Sequence, residues 1–131
     1  MTRTISFYSV VDMSPASTIE NILDDVKQDS RIDDITLVSS NGVHIAGRAP
    51  EEAHQETYVA MSAILLGAAE TATSELNEGL KYVLVELEGS RILVQGSGDS
   101  EILVTKLKPD ADIDEVLKST KKAVKDLRRA L

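Results

Sequence analysis

The sequence predicts an α/β (α+β) fold, a three-layer sandwich with helices on both faces of a five-stranded antiparallel sheet. Three observations carry this prediction. The apolar periodicity gives the element order α-β-β-α-β-β-β-α. Short turns rich in Gly, Asn and Ser separate neighbouring strands, which makes them antiparallel. The segments 92–94 and 102–104 are unbroken apolar runs, which is typical of strands that are covered on both faces.

Local signals predict each element in turn. Apolar residues spaced i, i+3, i+4 and i+7 predict a first helix near Pro15, where Ser17 and Glu20 have the spacing of a capping box. Asn41-Gly42 between two alternating runs predicts a hairpin with a type I′ turn. We expect the long middle helix on one face of the sheet and the other two helices on the opposite face. The predicted helices are 14–31, 50–79 and 110–131, and the predicted strands are 33–40, 43–48, 80–87, 91–97 and 100–108.

Length and composition limit the classes of protein. The chain has 131 residues, of which 42% are hydrophobic and 27% are charged, as expected for one globular domain. We assign residues 1–16 to an N-terminal extension and residues 17–131 to the domain. The chain has no cysteine, which excludes disulfides and thiolate metal sites. A net charge of -8 argues against a general nucleic-acid binder. Without a membrane-spanning run or a convincing signal peptide, we expect a cytoplasmic protein.

The middle helix carries more apolar surface than one sheet-facing side requires. On a helical wheel, a stripe of larger residues, which we expect to pack on the sheet, lies opposite a side of small ones. The larger stripe consists of Tyr58, Met61, Leu65, Ala69, Ala72 and Leu76. The small side consists of Ala60, Ala63, Gly67, Thr71 and Ser74, flanked by Val59, Ile64 and Leu66.

Gly67 indicates what this small side does. A glycine inside a helix costs about 1 kcal/mol relative to alanine, so some gain should compensate for it. Close approach of a second helix would do so, and we predict that the small side pairs with its own copy in a homodimer. The alternatives are that the helix is buried within a monomer or that Gly67 is a tolerated imperfection.

Over about residues 17–130 the chain resembles the Roadblock/dynein light chain family, in its prokaryotic, GTPase-associated form. The resemblance rests on ITLVSSNGVHIAGR, on the alanine-rich helix AMSAILLGAAETATSEL and on the strands YVLVEL, RILVQG and EILVTKLKPDADI. It implies a profilin-like sandwich and a homodimer in which the middle helices pair and the strands 80–87 join edge to edge. Tyr82 and Leu84 thereby join the expected interface. Residues 1–16 lie outside the resemblance.

The resemblance also implies a function. Family members are platforms for small Ras-like GTPases, as activators, scaffolds or adaptors, and no motif in this chain selects one GTPase. We therefore expect a non-enzymatic, homodimeric regulator without a cofactor, nucleic acid or membrane insertion. The alternative is a small-molecule sensor of profilin-like fold, which would need a pocket with convergent polar groups. A weak hydrolase ranks last, since no nucleophile with a base is evident.

The remaining candidate sites each have a simpler interpretation. His44 and His54, the only histidines, lack partners at zinc spacing and fit surface positions. The segment GSGDS, residues 96–100, lacks the Lys and Ser/Thr of a phosphate loop and fits a hairpin turn. Arg48 and Arg91 lie beside turns and are candidate contacts to a GTPase site, although solvated arginines at strand ends are the simpler explanation and the one we favour. A basic cluster complements the dipole of the last helix and leaves open a contact with an acidic partner or a membrane. This cluster consists of Lys121, Lys122, Lys125, Arg128 and Arg129.

Overall fold

The structure is a computed structural model that describes residues 14–98 and 100–131. Residues 1–13, most of the expected N-terminal extension, and Asp99 of the GSGDS segment lie outside the described residues. The predicted fold class and element order are confirmed. The helices are α1 (Pro15–Val26), α2 (Gln55–Thr73, followed by a 3₁₀ turn, Ser74–Leu76) and α3 (Ile113–Ala130). The strands are β1 (Ile32–Ser39), β2 (His44–Gly47), β3 (Val83–Glu86), β4 (Arg91–Gly96) and β5 (Glu101–Leu107).

The strands form one antiparallel sheet in the order β2-β1-β5-β4-β3. The apolar strands β1, β5 and β4 occupy the centre, and β2 and β3 form the two edges. As predicted, α1 and α3 cover one face and α2 covers the other. The larger core lies under α1 and α3 and includes Leu23, Leu37, Leu93, Leu103, Leu107 and Leu127. The smaller core lies under α2 and includes Val38, Val59, Leu66, Val94 and Val104.

The first helix begins one turn earlier than the predicted capping box. Ser14 is the N-cap, and its hydroxyl accepts a hydrogen bond from the Ser17 amide at 3.1 Å. Pro15 is at the first helical position, where its fixed φ and missing N–H fit a helix start. The capping box of Ser17 and Glu20 is therefore wrong, and the Glu20 carboxylate contacts the sheet instead.

The β1–β2 connection is a hairpin, but not of the predicted type. A type I′ turn needs a positive φ at both central residues. Gly42 has a φ of +83°, but the φ of Asn41 is not positive, because Asn77 is the one described non-glycine residue with a positive φ. The Gly42 amide donates to the Ser39 carbonyl at 2.9 Å, and the Ser39 amide donates to the Val43 carbonyl at 2.8 Å. These two bonds define a hairpin loop longer than the predicted two-residue turn, in which a turn is followed by a bulge at a glycine. A Cβ on Gly42 would lie 3.0 Å from the Ala60 backbone, so the glycine also lets the tip pack on α2.

The helix α2 is shorter than the predicted 50–79. Residues 51–53 form a turn in which the Ala53 amide donates to the Pro50 carbonyl at 3.0 Å, and the helix begins only after His54. At the other end the 3₁₀ turn stops where Asn77 adopts a left-handed conformation with φ 57°. These ends leave α2 long enough to cross the whole sheet.

A charged contact fixes the turn between α1 and β1. The Asp29 carboxylate accepts from the Arg31 guanidinium at 2.7 Å and from the Ser119 hydroxyl of α3 at 2.9 Å. The Arg31 hydrogen bonds are the largest influence on this carboxyl and hold its pKa well below the usual range. Asp29 thereby connects the end of α1 to the middle of α3.

Candidate functional site

The side of α2 that packs on the sheet combines small residues with larger apolar ones. Val59, Ser62, Ala63 and Leu66 are buried there, and Tyr58 packs beside them as predicted. Three residues predicted for the interface, Val59, Ala63 and Leu66, therefore belong to the core, and that part of the prediction is wrong. The physical reason is that Ala63 and Ser62 let the helix approach the sheet closely, while Val59 and Leu66 fill the space beside them.

The opposite side of α2 is apolar and exposed. We define the outer face of α2 as Met61, Ile64, Leu65, Ala68, Thr71 and Ala72. No member is charged, and the exposed fractions of Met61, Ile64 and Leu65 are 53%, 59% and 38%. The prediction that Met61, Leu65 and Ala72 pack on the sheet is wrong, as it is for Leu76, which is 61% exposed. The orientation of an amphipathic helix is predicted from its polar side, which faces solvent. A helix that is apolar on all sides lacks this signal, so its orientation cannot be predicted from periodicity.

The other residues of the predicted interface remain accessible. Ile64, Thr71 and Ser74 are exposed, and Ala60 and Gly67 are half-buried at the margin of the outer face. A Cβ added to Gly67 would meet no described atom within 4 Å. The described part of the subunit therefore leaves space beside Gly67, and nothing in residues 14–98 and 100–131 explains the absence of a side chain there.

The edge strand β3 leaves backbone groups free for pairing. The Leu87 amide donates to the Ser90 carbonyl at 2.8 Å, which fixes the β3–β4 register. In this register Leu84 and Glu86 turn their N–H and C=O groups away from β4, and no described residue bonds to them. Tyr82 and Leu84 are half-buried against the core under α1 and α3. An open strand edge is a template for pairing with another strand.

On the opposite edge, β2, side chains occupy the outward backbone groups of Gly47. Because the Arg48 amide bonds to the Ile35 carbonyl of β1 at 3.1 Å, Gly47 points its own N–H and C=O away from β1. The N–H donates to the Glu20 carboxylate at 3.2 Å, and the C=O accepts from the His44 ring at 2.7 Å. Since a carbonyl only accepts, His44 carries a proton on Nε2. The predicted surface histidine therefore helps to block this edge.

The two candidate arginines differ in their surroundings. Arg48 is exposed. The Arg91 guanidinium donates to the Ala111 carbonyl at 2.7 Å and forms an ion pair with Glu86. Arg91 is thus committed within its own subunit, whereas Arg48 is available to a partner.

The remaining candidates show no chemical site. The His54 ring lies 3.1 Å from the Thr57 hydroxyl at the start of α2. Among residues 14–98 and 100–131, no group of three or more His, Asp or Glu side chains could hold a metal. In GSGDS, the described residues form the β4–β5 turn, in which Gly98 has a φ of +87° and the Ser97 amide donates to the Glu101 carbonyl at 2.8 Å.

A groove adjoins the outer face of α2. It has a volume of about 550 Å³ and lies between the β1–β2 hairpin and the first turns of the helix. Val43, 61% exposed, stands at the hairpin tip beside it. Ala60 lines the groove one helical turn before Ile64, so groove and outer face form one continuous surface. No helix in the described part of the chain has the length and apolarity to cross a bilayer.

Comparisons with known proteins agree with this geometry. The model of the family "Roadblock/LC7 domain" matches residues 18–106, while no curated protein matches the chain in sequence. The solved gliding protein MglB from Thermus thermophilus is similar, with 19% identity, a TM-score of 0.78 and coverage of 88% of this chain and 90% of that one. An MglB structure described as having a tetrameric arrangement has 19% identity, a TM-score of 0.79 and coverage of 88% and 89%.

The profilin-like architecture is confirmed by a third structure. Profilin from Schizosaccharomyces pombe has a TM-score of 0.62 at 15% identity, with coverage of 84% of this chain and 96% of that one. Likenesses at such identities concern the fold alone, whereas the family match spans most of the chain. On that match, the chain belongs to the Roadblock/LC7 family.

Proposed function

We propose that this chain is a homodimeric scaffold that binds and regulates a small Ras-like GTPase. The observation that carries the proposal is the outer face of α2, where Met61 and Ile64 are more than half exposed at 53% and 59%. A helix on the surface of a monomer is normally polar on that side, and contiguous exposed apolar residues mark interaction sites. Membership of the Roadblock/LC7 family favours a GTPase as the partner, with a cytoplasmic location.

The dimer combines a helix contact with a strand contact. The helices pair through the outer face of α2, with Ala60, Gly67 and Ser74 at its margin. The β3 strands pair antiparallel through the outward backbone groups of Leu84 and Glu86, with Tyr82 at the margin of this contact. The MglB structure with a tetrameric arrangement supports self-association as such.

The GTPase binds on the α2 side of the dimer, at the groove beside the β1–β2 hairpin. This groove joins the apolar outer face to the polar side chains of Gln55 and Glu56, a composition that suits a protein partner. Arg48 is the candidate for contact with the nucleotide site, because its side chain is exposed while Arg91 is held by Glu86 and Ala111. If Arg48 stabilises charge in the transition state, the protein is an activator; without that contact it is an adaptor.

Two measurements test the proposal in sequence. Light scattering should report twice the chain mass of 14.2 kDa, and a strict monomer at micromolar concentration would contradict the dimer. The purified protein, immobilised, should then retain a small GTPase from native extract, identified by mass spectrometry. Recovery of a tightly bound metabolite without a GTPase would favour the sensor instead.

The identified GTPase allows the two roles to be separated. GTP hydrolysis is measured with the wild-type protein and with Arg48→Ala, and Arg91→Ala is the matched control. An activator accelerates hydrolysis, and the acceleration is lost in Arg48→Ala alone. An adaptor binds the GTPase without changing the hydrolysis rate.

A further inference from the structure

The last helix presents a row of basic side chains on the layer opposite the outer face of α2. We define the basic strip as Lys118, Lys121, Lys122, Lys125, Arg128 and Arg129, all of which are exposed. The strip extends over about 17 Å of helix axis at 1.5 Å per residue. The other side of α3 buries Val116, Thr120, Ala123 and Leu127. Because that side is fixed in the core, the basic side of the helix always faces solvent.

Contacts among the residues that the structure describes do not account for these charges. Lys118 pairs with Glu115 at 2.8 Å and Lys122 pairs with Asp126 at 3.6 Å, yet these lysine side chains remain 76% and 85% exposed. No described carboxylate lies within ion-pair distance of the other four members of the strip. The helix dipole explains Arg128 and Arg129 in the last turn. It does not explain the lysines in the middle of the helix.

The strip is a local exception on an acidic protein. The chain has a net charge of -8, although six of its 14 basic residues lie on this one helix side. Exposed charges more than about 8–10 Å apart are largely screened at physiological ionic strength, so a partner at the strip experiences mainly the local positive charge. Asp25 and Asp126 line the groove between α1 and α3. They limit the positive region on the α1 side, while Glu101 lies near Arg128 and Glu115 pairs with Lys118.

We infer that the basic strip docks on the surface of an anionic lipid bilayer, as a peripheral contact held by electrostatics alone. Four of its six members are lysines, whose hydrated charges on flexible stems suit a diffuse negative surface better than a site of fixed geometry. The helix carries no aromatic side chain on which a nucleic-acid base could stack. Its apolar side is buried in the core, so nothing on α3 inserts among the lipid chains.

A bilayer bound at the basic strip does not cover the opposite layer of the protein. The sheet separates the strip from the outer face of α2, so contact with a bilayer leaves that face and its groove accessible. The inference stands on a single subunit and does not depend on the proposed function. Each basic residue near an anionic surface raises affinity about fivefold.

Vesicle co-sedimentation of the full chain tests the inference. The protein should bind vesicles of phosphatidylcholine mixed with phosphatidylglycerol at low salt, bind less as salt rises, and not bind vesicles of phosphatidylcholine alone. The double variant Lys121→Glu/Lys125→Glu should lose at least about 25-fold in affinity for the mixed vesicles. The matched control is Lys27→Glu/Lys81→Glu, which makes the same charge change at exposed positions outside the strip. This control should retain most of the affinity.

Three results would overturn the inference. The first is absence of binding to mixed vesicles by protein whose circular dichroism shows it to be folded. The second is an equal loss in the two double variants, which would show an effect of overall charge. The third is retention on immobilised duplex DNA or polyglutamate without vesicle binding, which would assign the strip to a nucleic acid or an acidic protein. Light scattering on the same samples reports the dimer separately.

Discussion

Replacement of Ile64 by glutamate tests the outer face of α2 most directly. Ile64 is 59% exposed in the single subunit, so the variant should fold with its own stability changed by no more than about 0.5 kcal/mol. If the outer face pairs with a second copy, the same substitution removes an apolar contact and places a carboxylate in the interface. The subunit should remain intact while the dimer weakens.

The size of the effect follows from the exposed fraction. Full burial of an isoleucine side chain contributes about 1.5–3 kcal/mol, and with 59% of the residue still exposed roughly 1–2 kcal/mol remains to be gained on pairing. A two-fold interface contains the residue twice, so the variant loses about 2–4 kcal/mol of association free energy. The dissociation constant should therefore rise roughly 30-fold or more. Desolvation of two carboxylates adds to this loss.

Sedimentation velocity over a dilution series measures the dissociation constant. Leu131→Glu is the matched control, because Leu131 is 51% exposed and lies at the end of α3, on the opposite layer. The control should dimerise as the wild type does. An unchanged dissociation constant for Ile64→Glu would refute the assignment of the outer face, and an equal effect of both variants would show that the charge change alone is responsible.

Three further substitutions test other features. Gly67→Ala should stabilise the isolated subunit by about 0.5–1 kcal/mol, measured by urea unfolding at low protein concentration. The same variant should weaken dimerisation, measured by sedimentation velocity. Stronger dimerisation would contradict a close approach of two helices at Gly67. Gly47→Ala should cost roughly 2–4 kcal/mol in the same unfolding assay, because Gly47 has a φ of +75° and its Cβ would lie 2.3 Å from a β1 carbonyl oxygen; Gly79→Ala, which meets no atom within 4 Å, is its control. Asp29→Asn should cost about 1–3 kcal/mol at pH 7 by weakening the contact with Arg31. Since the pKa of Asp29 is lowered by folding, this contribution is present above the usual aspartate pKa of about 4 and is lost as the pH falls, so variant and wild type should converge in acid.

The element order could be predicted from the sequence because most elements have one clear signal. The helix α3, for example, alternates buried residues such as Val116 and Leu127 with charged ones, and its acidic start and basic end agree with the dipole. The unbroken apolar runs in β4 and β5 correctly predicted strands covered on both faces. In these elements, local pattern and tertiary environment agree.

The orientation of α2 could not be predicted in the same way. Its residues are apolar on nearly every side, so the ranking of faces depended on side-chain size. Larger residues were assigned to the sheet, but Ser62 and Ala63 lie there and Met61 and Leu65 lie outside. Which side packs inward is decided by the shape of the sheet surface below, and this information is distributed over β1, β4 and β5. The exposed apolar surface itself was predicted, although several of its residues were not.

Contacts between segments far apart in the chain could not be predicted from local sequence patterns. Glu20 had the spacing of a capping box, a local motif, but its carboxylate bonds to Gly47, which is far along the chain. His44 carried no sign that its ring would reach the carbonyl of the same glycine. Spacing rules describe neighbours on one helix or strand, and these bonds depend on how α1 is placed against β2.

The blocked edge at β2 has a consequence for the size of any assembly. A sheet that can extend at both edges adds copies without limit and forms a fibre, whereas in this sheet β3 leaves the backbone groups of Leu84 and Glu86 open and the N–H and C=O of Gly47 on β2 are bonded to side chains. Pairing of β3 with its own counterpart uses that edge in both partners at once. If the proposed dimer pairs its β3 strands, strand addition at that edge stops at two copies, and the Glu20 and His44 side chains hinder addition at Gly47 on the other edge.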